Sequence, residues 1–229
     1  MSVKQLFTVL ATLTFLTWSA FAGPIEDIGL FSTGVNGSGS AISLLVGGAD
    51  GHYTVNGGTA YVVTNGIPNV APYNWVGTGV VPSQWISTTP DQWNTATPPG
   101  TYVYETTFNL SNWSLASVVI TGAWAADNYG SAFLNLNGTA ISNIVVSGDG
   151  SSAYNSWHSF SITGSSPGIL PGLNTIQFSV VNPVISTGVN PSGLRAEFSS
   201  FEGSAIPEPG TLALLGGGLL ALGLIRRRR

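Results

Sequence analysis

Short runs of alternating apolar and polar residues recur between residues 25 and 205, and turn residues separate them. The clearest run is TYVYETTFNL (101–110), in which Tyr102, Tyr104, Phe108 and Leu110 share one face. A period of two residues is typical of a strand with one buried face. The same pattern predicts strands at residues 40–46, 60–64, 117–121, 131–138, 156–162, 174–182 and 194–201.

The segments between these runs are rich in Gly, Asn, Asp and Pro, as in NGG (56–58), NLNGT (135–139) and GDGSS (148–152). These residues favour turns, and the Asn-Gly pair of NLNGT predicts a two-residue hairpin. We find no convincing helical periodicity between residues 25 and 205. Many short strands with closely spaced turns predict an all-β sandwich.

Residues 68–99 differ from the rest, because they are rich in proline and contain Trp75, Trp85 and Trp93 with few alternating pairs. We interpret them as long loops with short strands that pack over the sandwich. Exposed tryptophans could stack on sugar rings, and Trp113 is a fourth candidate. Tryptophans in a small β-domain are more often buried, so stacking on sugars is the minority interpretation.

The first 22 residues have the layout of a secretory signal peptide. Lys4 precedes an apolar stretch from Leu6 to about Trp18, and Ala20 and Ala22 form a small-x-small cleavage site. This layout predicts export through the general secretion machinery and cleavage by signal peptidase after Ala22. A buried N-terminal helix or an uncleaved anchor is the disfavoured alternative.

The last residues form a short apolar segment that ends in Arg226, Arg227, Arg228 and Arg229. The 15 uncharged residues of the segment, 211–225, span about 22 Å as a helix, whereas the hydrocarbon core of a bilayer is about 30 Å thick. Gly216–Gly218 weaken that helix further. We therefore predict a body at 23–202, then a linker and tail at 203–229 that only transiently holds the membrane, with the arginines in the cytoplasm.

Removal of both ends changes the charge of the protein, because five of its six basic residues lie there and only Arg195 remains. A protein that binds nucleic acid needs several basic side chains to neutralise phosphates, so this class is excluded. The chain has no cysteine, so its stability comes from packing alone. Nine acidic residues remain in the body: Glu26, Asp27, Asp50, Asp91, Glu105, Asp127, Asp149, Glu197 and Glu202.

Three motifs of the body resemble galactose-binding-like jelly-roll modules of exported bacterial proteins. They are ADGHYTV with the later YNWVGTGVVPSQWIS, then ITGAWAADNYGSAFLNLNGT, and finally PGLNTIQFSVVNP with NPSGLRAEF. The resemblance implies a jelly-roll β-sandwich over about residues 45–200. It also implies that Trp124 fills the core and that Asp127 and Asn128 organise a turn.

A ligand loop is the functional alternative for the same region. Asp127, Asn128 and Asp149 could contribute oxygens to a calcium or sugar site, with Tyr129 as an aromatic platform. Calcium needs six to eight oxygen ligands, and the sequence does not show these residues converging. We favour the structural interpretation, and we predict no cofactor.

No catalytic arrangement stands out in the body. His52 and His158 are its two histidines, and neither lies beside a Gly-x-Ser-x-Gly elbow. No spacing singles out a pair of carboxylates for glycoside hydrolysis, and no His-Glu-x-x-His zinc motif occurs. We expect both histidines to be structural and the protein not to be an enzyme.

Pro207, Glu208 and Pro209, followed by a short Gly- and Leu-rich span and an arginine cluster, resemble a PEP-CTERM sorting signal. The resemblance implies removal of the tail by exosortase, a membrane-embedded protease of Gram-negative bacteria, and delivery to the cell surface or biofilm matrix. Our first hypothesis is an exported carbohydrate-binding or adhesion module that contacts extracellular polysaccharide. A purely structural matrix protein is the second hypothesis, and a polysaccharide-degrading enzyme is the third.

Overall fold

The chain folds into an all-β body, seen in a computed structural model. The structure describes residues 21–23, 25–43, 47–63, 75–77, 79–92, 97–127, 131–145, 152–184 and 190–206, and short pieces of the tail at 216–219, 223 and 226–227. Residues 1–20 of the predicted signal peptide (1–22) and the motif Pro207–Pro209 lie outside these residues. No helix among the described residues is long and apolar enough to cross a membrane.

Eleven strands and three short helical turns make up the described part of the body. The strands are β1 (Phe21–Gly23), β2 (Ala49–Val55), β3 (Gly58–Val62), β4 (Ile86–Ser87), β5 (Gly100–Asn109), β6 (Val119–Asp127), β7 (Ser131–Leu136), β8 (Thr139–Val145), β9 (His158–Thr163), β10 (Leu173–Asn182) and β11 (Gly193–Gly203). The helical turns are 3₁₀ at Ile25–Ile28 and Leu115–Ser117 and α-helical at Ser152–Asn155.

The strands form one antiparallel sheet in the order β8-β7-β10-β5-β2-β3-β4-β11-β6-β9, and β1 pairs with the end of β11. The sheet closes over a single apolar core, in which Trp124 of β6 meets Phe178 of β10 at 5.3 Å between ring centroids. The long central strands β5 and β10 pair over ten residues, from Gly100 to Asn109. This architecture agrees with the predicted all-β sandwich.

The alternation in residues 101–110 predicts the core correctly. Tyr104, Phe108 and Leu110 are fully buried, while Thr107 and Asn109 are exposed. The hairpin predicted at NLNGT is also present between β7 and β8, where Asn137 and Gly138 have φ angles of 49° and 81°. Both angles are positive, as a type I′ turn requires.

The prediction of a strand at residues 40–46 is wrong for the described residues 40–43. Ala41 forms only an isolated bridge with Val35, and Asn36 closes a tight loop by accepting bonds at its side-chain oxygen from Ser38 and Ser40. A short polar side chain competes with the strand ladder for backbone donors here. Conversely, β2 was not predicted as a strand, because Asp50 and Gly51 interrupt its apolar pattern.

The predicted loop region is confirmed where it is described. Residues 75–77, 79–92 and 97–99 contain only the two-residue strand β4, and Trp75 and Trp85 pack against Ala125 on the outside of the sheet. These side chains, with Val63, form a second small apolar cluster. The described loops therefore form a covering layer on the sandwich.

Candidate functional site

The outer face of β11 is covered by residues 75–77 and 79–85, which we call the cover loop. Alternate side chains of β11 point to opposite faces, so Leu194, Ala196 and Phe198 enter the main core while Arg195 and Glu197 point towards the cover loop. A strand with two buried faces needs a second layer, and the cover loop supplies it.

Arg195 joins this loop to the sheet through four hydrogen bonds. Its Nε donates to Ser83 Oγ at 2.8 Å, Nη1 donates to the carbonyls of Val76 and Gly77 at 3.0 and 2.8 Å, and Nη2 donates to Ser83 O at 3.0 Å. The guanidinium also lies 5.3 Å from the ring centre of Trp157. Burial lowers the pKa of Arg195, and the charge of Glu197 acts in the opposite direction.

Glu197 completes the attachment of the cover loop. Its carboxylate accepts the Val80 N–H at 2.9 Å and the Ser83 hydroxyl at 2.7 Å, and Arg195 Nη2 lies 3.8 Å away. Both charged side chains are buried. Arg195, the one basic residue between the two predicted processed ends, is therefore bound within the protein and is not available to bind an external anion.

The cover loop also buries the tryptophans that sequence analysis considers as sugar platforms. Trp75 and Trp85 are 1% and 3% exposed, and their rings pack together with centroids 4.3 Å apart and planes tilted by 34°. Their ring N–H groups donate to Asp127 Oδ2 at 2.6 Å and to Val76 O at 3.0 Å. Trp113 is partly buried edge-on against Phe201. Neither Trp75 nor Trp85 presents its face to solvent, and Trp93 lies outside the described residues.

Asp127 lies at the end of β6 and is 2% exposed. Burial raises the pKa of its carboxyl to about 8, although the hydrogen bond from Trp75 acts to lower it. Its carboxyl thus accepts a hydrogen bond from a tryptophan that is distant in the sequence. The turn role of Asp127 stays a prediction, because residues 128–130 lie outside the described residues. Asn128, Tyr129 and Asp149 lie outside the described residues, and no three potential metal-ligating side chains converge among those described.

The two histidines occupy strands. The ring of His52 stacks on Phe31 at 3.8 Å between centroids, and its backbone N–H donates to Asp50 Oδ1. His158 begins β9 and pairs with Trp124 of β6. The stacking of His52 agrees with the packing role that the sequence indicates.

A groove of about 240 Å³ opens beside the cover loop, and sequence analysis did not predict it. Its polar groups come from Glu26 and from three serines, and a bulge in β11 at Phe198–Ser200 places two of these serines at the groove. A bulge re-aims side chains out of the regular ladder, but the Ser-Ser pair at 199–200 has no distinctive sequence signal. The principal lining residues are Glu26, Ser32, Val35, Val81, Pro82, Ser199 and Ser200.

The body remains hydrogen-bonded up to the residue before the Pro-Glu-Pro triplet. After β11, Ser204 accepts the Ser114 N–H at 2.8 Å, Ala205 bridges Trp113, and the Ile206 N–H donates to Asn112 O at 2.8 Å. β1 pairs with the preceding residues, with Ala22 opposite Glu202. Residues 203–206, interpreted as linker from the sequence, thus continue the folded edge.

An all-β body followed directly by an apolar, arginine-ended segment is the layout of an exported protein with a processed tail. Residues 205–229 match the PEP-CTERM protein-sorting motif. This match indicates an exported surface protein with exosortase as its processing partner. The comparisons found no matching curated protein and no matching solved structure.

Replacement of Arg195 tests the attachment of the cover loop. We expect Arg195→Met to lower the free energy of unfolding by about 3–5 kcal/mol, because Glu197 is left as an uncompensated buried charge. Adding Glu197→Gln removes that charge and should restore part of the lost free energy of unfolding. Urea unfolding followed by tryptophan fluorescence measures both variants. A loss below about 1 kcal/mol for Arg195→Met would contradict this role.

Asp127 makes stability depend on pH. Its pKa is raised from 3.8 to about 8 in the folded state. The stabilisation that its protonated form gives to the folded state is therefore fully present below about pH 4, and it is lost as the pH rises through about 8. Burial raises the pKa of Asp50 as well, which acts in the same direction. We therefore expect a lower urea midpoint at pH 8 than at pH 5.

The variant Asp127→Asn identifies the source of that dependence. The amide stays neutral and keeps an oxygen that can accept the Trp75 ring N–H. The decrease in the urea midpoint between pH 5 and pH 8 should be smaller in this variant. Asp27→Asn, which replaces an exposed carboxyl, is the control and should show the same decrease as the unaltered protein. An unaltered pH profile in Asp127→Asn would refute the assignment.

Proposed function

We propose that the protein is exported as a precursor, held in the inner membrane by residues 211–225, cut by exosortase near Pro207–Pro209, and transferred to the cell surface or extracellular matrix of a Gram-negative bacterium. The observation that supports this most is the position of the matched motif. The match begins at residue 205, and among the described residues the backbone hydrogen bonds of the body extend to Ile206. Cutting after this point leaves every described contact of the body intact.

We further propose that the body binds extracellular polysaccharide through the groove beside the cover loop. Glu26 and the serine hydroxyls of the groove offer acceptors and donors for sugar hydroxyls, and Val35, Val81 and Pro82 offer apolar contact. The groove is smaller than the roughly 300–1,000 Å³ typical of ligand pockets, so it suits one sugar unit of a longer chain. Arg195, the basic residue of the body, is buried under the cover loop and is not among the described residues that line the groove.

A purely structural matrix protein is the second candidate. Burial of Trp75 and Trp85 supports it, because the aromatic rings best suited to stack on sugars serve as packing. On this alternative the groove is an incidental feature of the β11 bulge. The two candidates share the export and the processing, and they differ in whether a discrete ligand is bound.

Intact-mass measurement of protein from its native cells tests the processing. The surface pool should lack Arg226–Arg229, and replacing Glu208 with Ala should leave those residues attached, because the triplet at the cut is altered. Glu202→Ala is the matched control, since it removes an exposed acid just before the motif. Surface protein that retains the four arginines would refute the proposal.

Retention on the host's own exopolysaccharide tests the groove. Glu26→Ala should weaken retention about tenfold or more, because a charge-assisted hydrogen bond to a sugar hydroxyl is lost. Asp27→Ala is the control, since this neighbouring exposed acid does not line the groove. No retention of the unaltered protein would favour the structural candidate, and release of reducing ends would instead indicate an enzyme.

A further inference from the structure

Exposed apolar side chains lie at the end of the body from which the tail leaves. Leu170, Leu173 and Ile206 are 49%, 65% and 50% exposed. Single exposed leucines are common on protein surfaces, whereas several exposed apolar side chains at the end of the body that carries the tail indicate a contact surface. These three residues, with the partly buried Trp113, are called the exit patch below.

The segments that carry the exit patch are attached to one turn, directly for Leu173, Ile206 and Trp113, and through Asn174 Nδ2, which donates to the carbonyls of Leu170 and Gly172, for Leu170. Residues 109–113 follow β5, and the Leu110 N–H of this turn donates to Gly172 O at 2.8 Å. Two residues further on, Asn112 O accepts the Ile206 N–H at 2.8 Å. Leu173 pairs with Asn109 on one side, and Trp113 bridges Ala205 on the other.

The chain between the body and the apolar segment is short. Five Cα-to-Cα steps join Ile206 to Thr211, where the uncharged segment begins, so full extension gives at most about 18 Å. The headgroup layer takes up roughly 5–7 Å of this distance on each side of a bilayer. A body whose tail is inserted therefore cannot withdraw the exit patch far from the lipid surface.

The charges near the exit patch fit an apolar contact. The turn contributes Asn109, Ser111 and Asn112, which are uncharged, and Glu202 is the one exposed charge on the neighbouring end of β11 among described residues. Basic side chains are absent there, so attraction to anionic headgroups plays no part. The contact requires only that leucine and isoleucine side chains enter the interface.

We propose that the exit patch rests on the outer surface of the membrane while the tail is attached. The inference depends on the proposed membrane insertion of residues 211–225 and adds an orientation to it. The patch is too small to hold a free protein on lipid, but the tether gives it a high effective concentration at the surface. Cutting the tail then ends both attachments, so the product leaves the membrane without a separate release step.

Site-specific lipid quenching of the full chain tests the proposal. The chain has no cysteine, so a single fluorophore can be attached at Asn112→Cys, beside the patch, or at Thr101→Cys. Thr101 lies at the opposite end of β5, about 26 Å along the strand from Asn109. In phosphatidylcholine vesicles with nitroxide-labelled headgroups, we expect at least threefold stronger quenching at Asn112→Cys than at Thr101→Cys.

Serine substitutions in the exit patch distinguish a contact of the patch with lipid from mere proximity caused by the inserted tail. Leu170→Ser with Leu173→Ser should reduce the quenching at Asn112→Cys at least twofold, because both side chains are exposed and their loss leaves the core intact. Val80→Ser with Val184→Ser is the matched control, since these exposed valines lie outside the exit patch, and it should change nothing. An equal urea midpoint for all variants shows that the fold is preserved.

A label in the tail distinguishes failure of the exit-patch proposal from failure of the proposed membrane insertion. Quenching at Gly217→Cys by acyl-chain nitroxides, without headgroup quenching at Asn112→Cys, overturns the exit patch and leaves the proposed function standing. Absence of quenching at both positions overturns membrane insertion of the tail, and the orientation with it. Quenching at Asn112→Cys that survives the leucine substitutions shows tethering alone and also overturns the patch.

Discussion

The buried pair of Arg195 and Glu197 determines how the outer half of this body is built. Both side chains project from the face of β11 that points away from the main core, where buried charges would be costly without partners. The cover loop supplies those partners through Ser83 and the backbone of Val76, Gly77 and Val80. Once the loop is fixed, Trp75 and Trp85 are placed over the sheet, and Asp127 receives its hydrogen bond.

This arrangement explains why the body presents so little positive charge at its surface. Its remaining cation is enclosed, and Asp127 is buried in an environment that raises its pKa. The hydrogen bonds of such groups are satisfied within the protein, so they fix the position of the loop and present no charge to solvent. Hydroxyl groups, amide groups and scattered acids therefore provide the polar groups of the described surface.

Local patterns predict most of the strands and the presence of a covering layer, but not the contacts that hold this layer on the sheet. The alternation at residues 101–110 and the Asn-Gly pair at 137–138 act over a few residues, so they can be recognised without the fold. The bond from Trp75 to Asp127 joins residues 52 positions apart, and Arg195 reaches residues more than a hundred positions away. Nothing in the neighbourhood of Asp127 shows that its partner is a tryptophan ring. The groove depends likewise on a bulge that the sequence does not signal.

The two proposed cleavage sites meet at one edge of the body. β1 pairs with Phe201–Gly203, and the chain then bonds to residues 112–117 up to Ile206. Cutting after Ala22 would remove two of the three residues of β1, whereas cutting after Ile206 would remove none of the described pairing. The described contacts of the body therefore do not prevent the proposed cut at the tail after the body has formed. The predicted site after Ala22 lies within β1, which pairs with β11, so signal peptidase would have to cut it before this pairing forms.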